Sequence, residues 1–246
     1  MKVALFSDLH TEFDPGDPWT PGPLDADVIV FAGDNVTSPA QLRNFACSVE
    51  QTQKSTAQML YVCGNHEFYG GSIRFGARGY EKYREALAGC SRSKLLDMQA
   101  TEIDGVRFIG ATMWTPVKDS VSLDFNDYRY IRIDRPPYRR LRPADVRERY
   151  RQTTQFLEDA LATEAPTVVV THHPPSRIGL DFEPEDPWTA NLDDMIERSR
   201  ALAWLHGHVH KTHTDQLGRT LIVSNPRGYF PDHLNPDFNP SYVLTI

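Results

Sequence analysis

The segment HGHVH, His206 to His210, puts three imidazoles into five residues beside a glycine. A neutral imidazole carries one donor and one acceptor, so clustered rings make poor core material unless every nitrogen finds a partner. Ligating a metal is what such a cluster does well. Four more histidines stand in short polar segments, His10 in SDLH, His66 in CGNHE, His172 and His173 in THHPP, and the segment GDN, 33 to 35, adds an acid and an amide. Together Asp8, His10, Asp34, Asn65, His172, His208 and His210 offer two carboxylates, an amide oxygen and four imidazoles, with no thiolate. This mixed nitrogen and oxygen set suits manganese, iron, zinc or cobalt rather than calcium or copper(I). Seven donors exceed what one ion with an open position needs. Two ions about 3.5 to 4 Å apart would use them, provided one carboxylate bridges.

Donors this far apart in the chain converge only if a fold gathers them. Each polar segment directly follows a short apolar run: VALF (3 to 6), VIVFA (28 to 32), MLYV (59 to 62), TVVVT (167 to 171) and ALAWL (201 to 205). Near-continuous apolar runs suit strands buried on both faces, and VRFIGATMW (106 to 114), LIVS (221 to 224) and YVLTI (242 to 246) extend the set. In open α/β sheets the carboxyl ends of the strands border the ligand crevice. Ordinary turns also favour Asp, Asn and Gly. That accounts for GDN but not for seven of nine histidines at these ends. Amphipathic spacing predicts helices over roughly 39 to 54, 79 to 90, 143 to 162 and 191 to 200. In the third, Val146, Tyr150, Thr153, Leu157 and Leu161 share a face and Pro143 suits the first turn. The Pro- and Arg-rich stretch from 115 to 142 reads as a long loop, a lid or rim.

The chain has 246 residues, 40% hydrophobic and 24% charged, which fits one folded α/β domain over 1 to 246 rather than disorder. A net charge of −7 and a pI near 5.7 argue against broad capture of nucleic acid. Nine arginines between 129 and 151 face only Asp134, Asp145 and Glu148, a local excess of +6. Such a run is expected to form a solvated, acid-paired face, or else a lip that attracts a phosphorylated substrate. Cys47, Cys63 and Cys90 show no CxxC spacing and fit reduced, buried thiols. No apolar stretch approaches a signal core or membrane span, so a cytoplasmic location without a membrane partner is expected. Nothing in the sequence signals an oligomeric state.

The ordered motifs DxH (Asp8, His10), GD (Gly33, Asp34), GNHE (Gly64 to Glu67), H (His172) and GHxH (Gly207 to His210) resemble those of the calcineurin-like metallophosphoesterases. The resemblance spans residues 8 to 210. It implies two packed mixed β-sheets flanked by helices, a four-layer α/β sandwich acting on a small phosphoester. It further implies two divalent or trivalent ions (Mn, Fe or Zn). Asp8, His10 and His210 would hold one, Asn65, His172 and His208 the other, with Asp34 bridging. Ions so paired acidify a shared water, giving a hydroxide placed for in-line attack on phosphorus, while the metals and Asn65 offset charge on the phosphoryl oxygens. His66 resembles the family's general acid, with Glu67 available to orient it. His173 is expected to support the ligands or touch substrate, and His206 to support them. His213 and His233 lie outside the motifs and read as surface residues.

The departures from the family pattern select among phosphoesters. Protein Ser/Thr phosphatases of this superfamily carry GDxxDRG and an arginine just before GNHE, whereas this chain reads GDNVTSP and VCGNHE. Arginines that would clamp a phosphomonoester bidentately are therefore missing at those places. The pattern is closer to bacterial class III cyclic-nucleotide and glycerophosphodiester phosphodiesterases, though Thr37 stands where an Asp is common. A phosphodiesterase is the expected activity and a phosphomonoesterase, acting on proteins or small molecules, the alternative. A nuclease would show more basic surface, and a non-catalytic scaffold would have lost ligands that this chain keeps. Arg227 in VSNPRGY, with Tyr229, and Arg129, with Asp127 and Tyr128, in the 115 to 142 loop are candidate substrate contacts.

Overall fold

The computed structural model describes residues 1–14, 16, 18–53, 56–69, 74–181 and 186–246. In chain order the first half supplies β1 (Lys2–Phe6), β2 (Val28–Ala32), α1 (Pro39–Thr52), β3 (Gln58–Val62), α2 (Ala77–Leu87) and β4 (Ser93–Leu95). Then come β5 (Gln99–Ile103), β6 (Val106–Ala111), α3 (Asn126–Tyr130), α4 (Pro143–Leu161), β7 (Thr167–Thr171), α5 (Asp193–Arg198) and β8 (Ala201–His206). The chain ends with β9 (His213–Leu217), β10 (Thr220–Ser224), a small ribbon of β11 (Gly228–Tyr229) and β12 (His233–Leu234), and β13 (Val243–Thr245).

Two mixed sheets form. One has the order β13-β1-β2-β3-β4, parallel except for β13; the other, β5-β6-β7-β8-β10-β9, is parallel except for its edges β5 and β9. Successive strand residues point to opposite faces, and here both faces are covered. Val3, Leu5, Val28, Val30 and Leu60 of the first sheet pack against Phe108, Val168, Val170, Leu205 and Val223 of the second. On the far side of the first sheet Phe6, Ile29, Phe31 and Tyr61 lie under α1 and α2 through Phe45, Val49, Tyr80 and Tyr83. On the far side of the second, Val169, Trp204 and Ile222 lie under α4 and α5 through Leu157, Met195 and Ile196. The result is the expected four-layer sandwich of helices, sheet, sheet and helices.

All four expected helices form, within a few residues of the predicted ends. Lys54, with which the first was expected to finish, lies outside the described residues. Pro143 occupies the first turn of α4, and Asp145 accepts the Arg142 N–H at 3.0 Å to close that end. The strand expected over 106 to 114 stops at Ala111, because the Thr112 carbonyl turns to accept the N–H groups of His172 and His173. The 115 to 142 stretch is more built than a loop: it contains α3 and sinks Tyr128, Ile131, Ile133 and Leu141 into the core beneath the first sheet. Among the thiols, Cys63 and Cys90 are buried and Cys47 half-buried, with the Sγ atoms of Cys47 and Cys90 3.2 Å apart. Among the described residues no helix is long and apolar enough to cross a membrane.

Candidate metal centre

The polar segments follow the carboxyl ends of β1, β2 and β3 in one sheet and β7 and β8 in the other, and the backbone ties these ends together. Past the strands, Asp8 N–H donates to Gly33 O and His10 N–H to Asp34 O, both at 2.9 Å. In the second sheet Gly207 N–H donates to His172 O at 2.9 Å. Side chains more than 200 residues apart in sequence thereby meet at one edge of the sandwich.

All seven predicted ligands are brought together, in two groups. In the first, His210 Nε2 lies 3.1 Å from His10 Nε2 and 3.3 Å from Asp8 Oδ1. In the second, His172 Nε2 lies 3.1 Å from Asn65 Oδ1, 3.2 Å from His208 Nδ1 and 3.4 Å from Asp34 Oδ2. Asp34 stands between the groups. Its Oδ1 accepts the His66 N–H at 2.8 Å, which leaves Oδ2 facing His172 on one side and His10, at 4.0 Å, on the other.

The donor set fits cations, because with the rings neutral Nε2 of His172 is unprotonated and faces an amide oxygen and a carboxylate oxygen. His172 Nδ1 donates to Ala32 O at 2.9 Å, so Nε2 of the neutral ring is a lone pair turned toward those two oxygens. His10 is held likewise: Nδ1 contacts Glu12 Oε1 at 3.3 Å and Nε2 faces the first group. The Asn65 amide is oriented by its other end, where Nδ2 donates to Tyr69 Oη at 3.0 Å and Asp127 Oδ1 at 2.9 Å. Both Nδ2 hydrogens are thus engaged, which turns Oδ1 toward His172 Nε2. Acceptors pointed at one another repel unless a positive charge lies between them.

The electrostatics agree. Burial opposes a charge on His172, yet Asp34 outweighs it and lifts the ring to about 10. Burial opposes a charge on His66 too, and Asp34 with Glu12 raises it to about 9. Burial would raise Asp34, but the rings of His172 and His66 hold it well below the usual carboxylate range. The field that favours a proton on these rings favours a metal cation in its place. His208, by contrast, is kept neutral by burial and by His173, and neutral imidazole is the ligating form.

The supporting residues differ from expectation. Glu67 does not orient His66. Its carboxylate accepts the N–H groups of Asp34 (3.1 Å), Asn35 (2.9 Å), Val36 (3.3 Å) and Gly64 (2.6 Å), clamping the loops after β2 and β3. His66 Nδ1 instead meets Glu12 Oε1 at 2.7 Å. His173 is buried, with Nδ1 3.4 Å from Thr112 O, and its ring packs against that of His208, with centroids 4.1 Å apart. His206 is also buried. Its Nε2 lies 3.0 Å from Nε2 of His213, which is not a surface residue: that side chain is 6% exposed and its Nδ1 lies 2.8 Å from Asp215 Oδ2. His233 is exposed as expected.

Beside the two groups opens a cavity of about 490 Å³. Asp34, Asn65, His66, His208 and His210 form its floor, and Tyr69, Phe125, Trp188 and Tyr229 its aromatic walls, with Asp124, Asn126 and Asp127 at the side. Among the described residues no Lys or Arg lines it. Neither expected arginine is there. Arg227 is buried, donating to Leu9 O at 3.3 Å and Asp14 Oδ2 at 3.2 Å, and Arg129 is exposed outside the cavity. Tyr229 does reach it, beside His66 and His210. Residue types alone do not single out Glu12, Tyr69 or Trp188. Of the group read together in the Pro- and Arg-rich stretch, Asp127 lines the cavity and Arg129 does not.

The profile of the family described as calcineurin-like phosphoesterase matches residues 1–212. An uncharacterized protein of Acanthamoeba polyphaga mimivirus is 26% identical over 210 residues, covering 77% of this chain and 74% of the relative. Among solved structures, the phosphopantetheinyl hydrolase of Mycobacterium tuberculosis superposes with a TM-score of 0.65 at 19% identity, over 93% of this chain and 89% of that one.

Proposed function

The chain belongs to the calcineurin-like phosphoesterases and is a metal-dependent phosphoester hydrolase; from that premise we propose that its substrates are phosphodiesters. Asp8, His10 and His210 would hold one divalent ion and Asn65, His172 and His208 a second, with Asp34 Oδ2 turned toward both. Bound, such ions draw charge from phosphoryl oxygens and acidify water at the site.

The remaining work belongs to side chains. His66 lines the cavity with Nδ1 against Glu12, which leaves Nε2 on the substrate side, 3.5 Å from Tyr229 Oη. When water adds to phosphorus and the bond to the departing oxygen breaks, that oxygen takes the Nε2 proton of the His66 imidazolium. The ring is left neutral with its proton on Nδ1. It regains the Nε2 proton from solvent, which also receives the proton lost by the attacking water. Tyr69, Phe125, Trp188 and Tyr229 offer apolar faces to the organic groups on either side of the phosphate.

The observation that carries the diester reading is the absence of Lys and Arg from the described lining of the cavity. A monoester dianion presents three terminal oxygens that guanidinium groups clamp in bidentate pairs. A diester carries a single negative charge and needs less. Initial rates on bis(p-nitrophenyl) phosphate and p-nitrophenyl phosphate after Mn²⁺ reconstitution, with Asp34→Asn as control, test this. A clear diester preference is expected. A monoester preference would overturn the reading and imply that cations outside the described lining reach the phosphate.

A further inference from the structure

Glu12 lies two residues beyond His10 in a short 3-10 turn, Thr11–Phe13, and no motif includes it. One of its oxygens touches two rings with different work. Oε1 is 2.7 Å from Nδ1 of His66 and 3.3 Å from Nδ1 of His10, whose rings pack edge to face with centroids 4.4 Å apart. The other oxygen, Oε2, is buried without a hydrogen-bond partner among the described residues. The two histidine rings are the groups that this carboxylate faces. The side chain is largely buried, at 16% exposure, and leaving one oxygen of such a carboxylate unpartnered is a cost that a neutral or apolar residue would not carry.

We infer that Glu12 is a positioning residue that sets the tautomer and orientation of His10 and His66 together, joining metal binding in the first group to proton delivery at the cavity. The inference rests on the phosphoester-hydrolase reading of the site. A carboxylate can only accept, so each Nδ1 that faces it must carry the proton. His10 is then obliged to present its Nε2 lone pair to Asp8 and His210, and His66 to present Nε2 to the departing oxygen. A neutral amide in place of Glu12 offers an N–H as well as an oxygen and carries no charge. His10 can then settle with its lone pair on Nδ1, which would point Nε2–H at a bound metal, and His66 loses the carboxylate that favours the imidazolium from which the Nε2 proton is given up. Partners that orient metal-bound histidines in this way typically change metal affinity or activity 10- to 100-fold when altered. Because Glu12 touches His10 and His66 through the same oxygen, both effects should appear in one variant.

The test uses the whole chain. In zinc-loaded, ¹⁵N-labelled protein, long-range proton–nitrogen correlation should find Nδ1 protonated in both His10 and His66; an unprotonated Nδ1 in either overturns the inference without any variant. Glu12→Gln should weaken zinc binding by about 10- to 100-fold in titration. It should also slow methyl phenyl phosphate more than methyl p-nitrophenyl phosphate, whose leaving group needs no proton, with KM little changed. In a His66→Ala background, Glu12→Gln should leave the leaving-group dependence where His66→Ala put it, since a residue acting through His66 has nothing further to remove. Wild-type zinc affinity in Glu12→Gln, or additive effects on the two esters, would overturn the coupling. If the wild-type protein cleaves neither ester, the hydrolase reading fails, and zinc titration and the tautomers still decide the role of Glu12.

Discussion

Asp8, His10, Asp34, His208 and His210 hold backbone φ angles of 52°, 45°, 54°, 74° and 45°. A residue with a Cβ in this left-handed region costs on the order of 1 to 3 kcal/mol. Five together cost a sum comparable with the whole stability of an ordinary domain, about 5 to 15 kcal/mol. The loops hold these angles because the ligands brace one another. Asp8 accepts the His208 N–H at 3.0 Å, and Asp34 the His66 N–H at 2.8 Å, so each carboxylate fixes a loop that carries another functional side chain. Little room is left around them. A Cβ on Gly64 would lie 2.1 Å from Asp34 Oδ1 and 2.7 Å from His172 Nε2, and one on Gly33, at φ 90°, would lie 2.3 Å from His172 Nδ1. Gly64→Ala is therefore expected to displace Asp34 or His172 and to lower bound metal per chain, measured by elemental analysis, while far-ultraviolet circular dichroism stays at wild type. Full metal content in the folded variant would mean that the loop can open without moving either ligand.

Elements hold the ligands through contacts far apart in sequence. The short α3 matters because Asp127 reaches back 62 residues to accept from Asn65, with Tyr69 Oη donating to the same oxygen at 2.5 Å. Asp127→Ala frees the Asn65 amide to flip. A second equivalent of metal should then bind about 10- to 100-fold more weakly in titration, and two equal, wild-type binding steps would refute that role for α3. Glu67 works on the loops themselves, through four backbone N–H groups at the ends of β2 and β3. Removing a buried acceptor of this kind leaves those donors unsatisfied, a loss on the order of 3 kcal/mol, so Glu67→Ala should lower Tm by roughly 6 to 12 °C in calorimetry. A shift under about 2 °C would show that water replaces the carboxylate without loss. The same contrast sets what is legible in the sequence. VIVFA and TVVVT bury every residue, so their strands stand out as apolar runs with the ligands at their ends. SKL, QATEI and HTDQL are edge or half-exposed strands whose polar composition looks like loop. Glu12, Glu67 and Asp127 are ordinary acids until the fold sets a ring or an amide opposite them. Glu67, though next to His66 in the chain, points away from its ring along the 3-10 turn His66–Phe68.

Across the whole molecule, charge decides which substrates can approach. The net charge is −7, and no arginine of the run at 129 to 151 is among the described residues that line the cavity. Much of it is spoken for: Arg139 pairs with Asp145, Arg147 with Asp119, Arg149 with Asp97 and Arg151 with Glu148. Arg129, Arg132, Arg135, Arg140 and Arg142 remain exposed, a band of which no member lines the cavity, where Asp124 and Asp127 stand instead. A nuclease draws most of its affinity from phosphate contacts, and for single strands log K falls with log salt by about 0.7 for each phosphate neutralised. A labelled single-stranded oligonucleotide is therefore expected to show no saturable anisotropy change at roughly physiological salt, and any binding at low salt should vanish on modest salt addition. Saturable binding that persists at physiological salt and weakens on mutation of Arg132 and Arg140 would reverse this argument. It would make the band a track for nucleic acid and the aromatic-walled cavity a place for its terminal or splayed base.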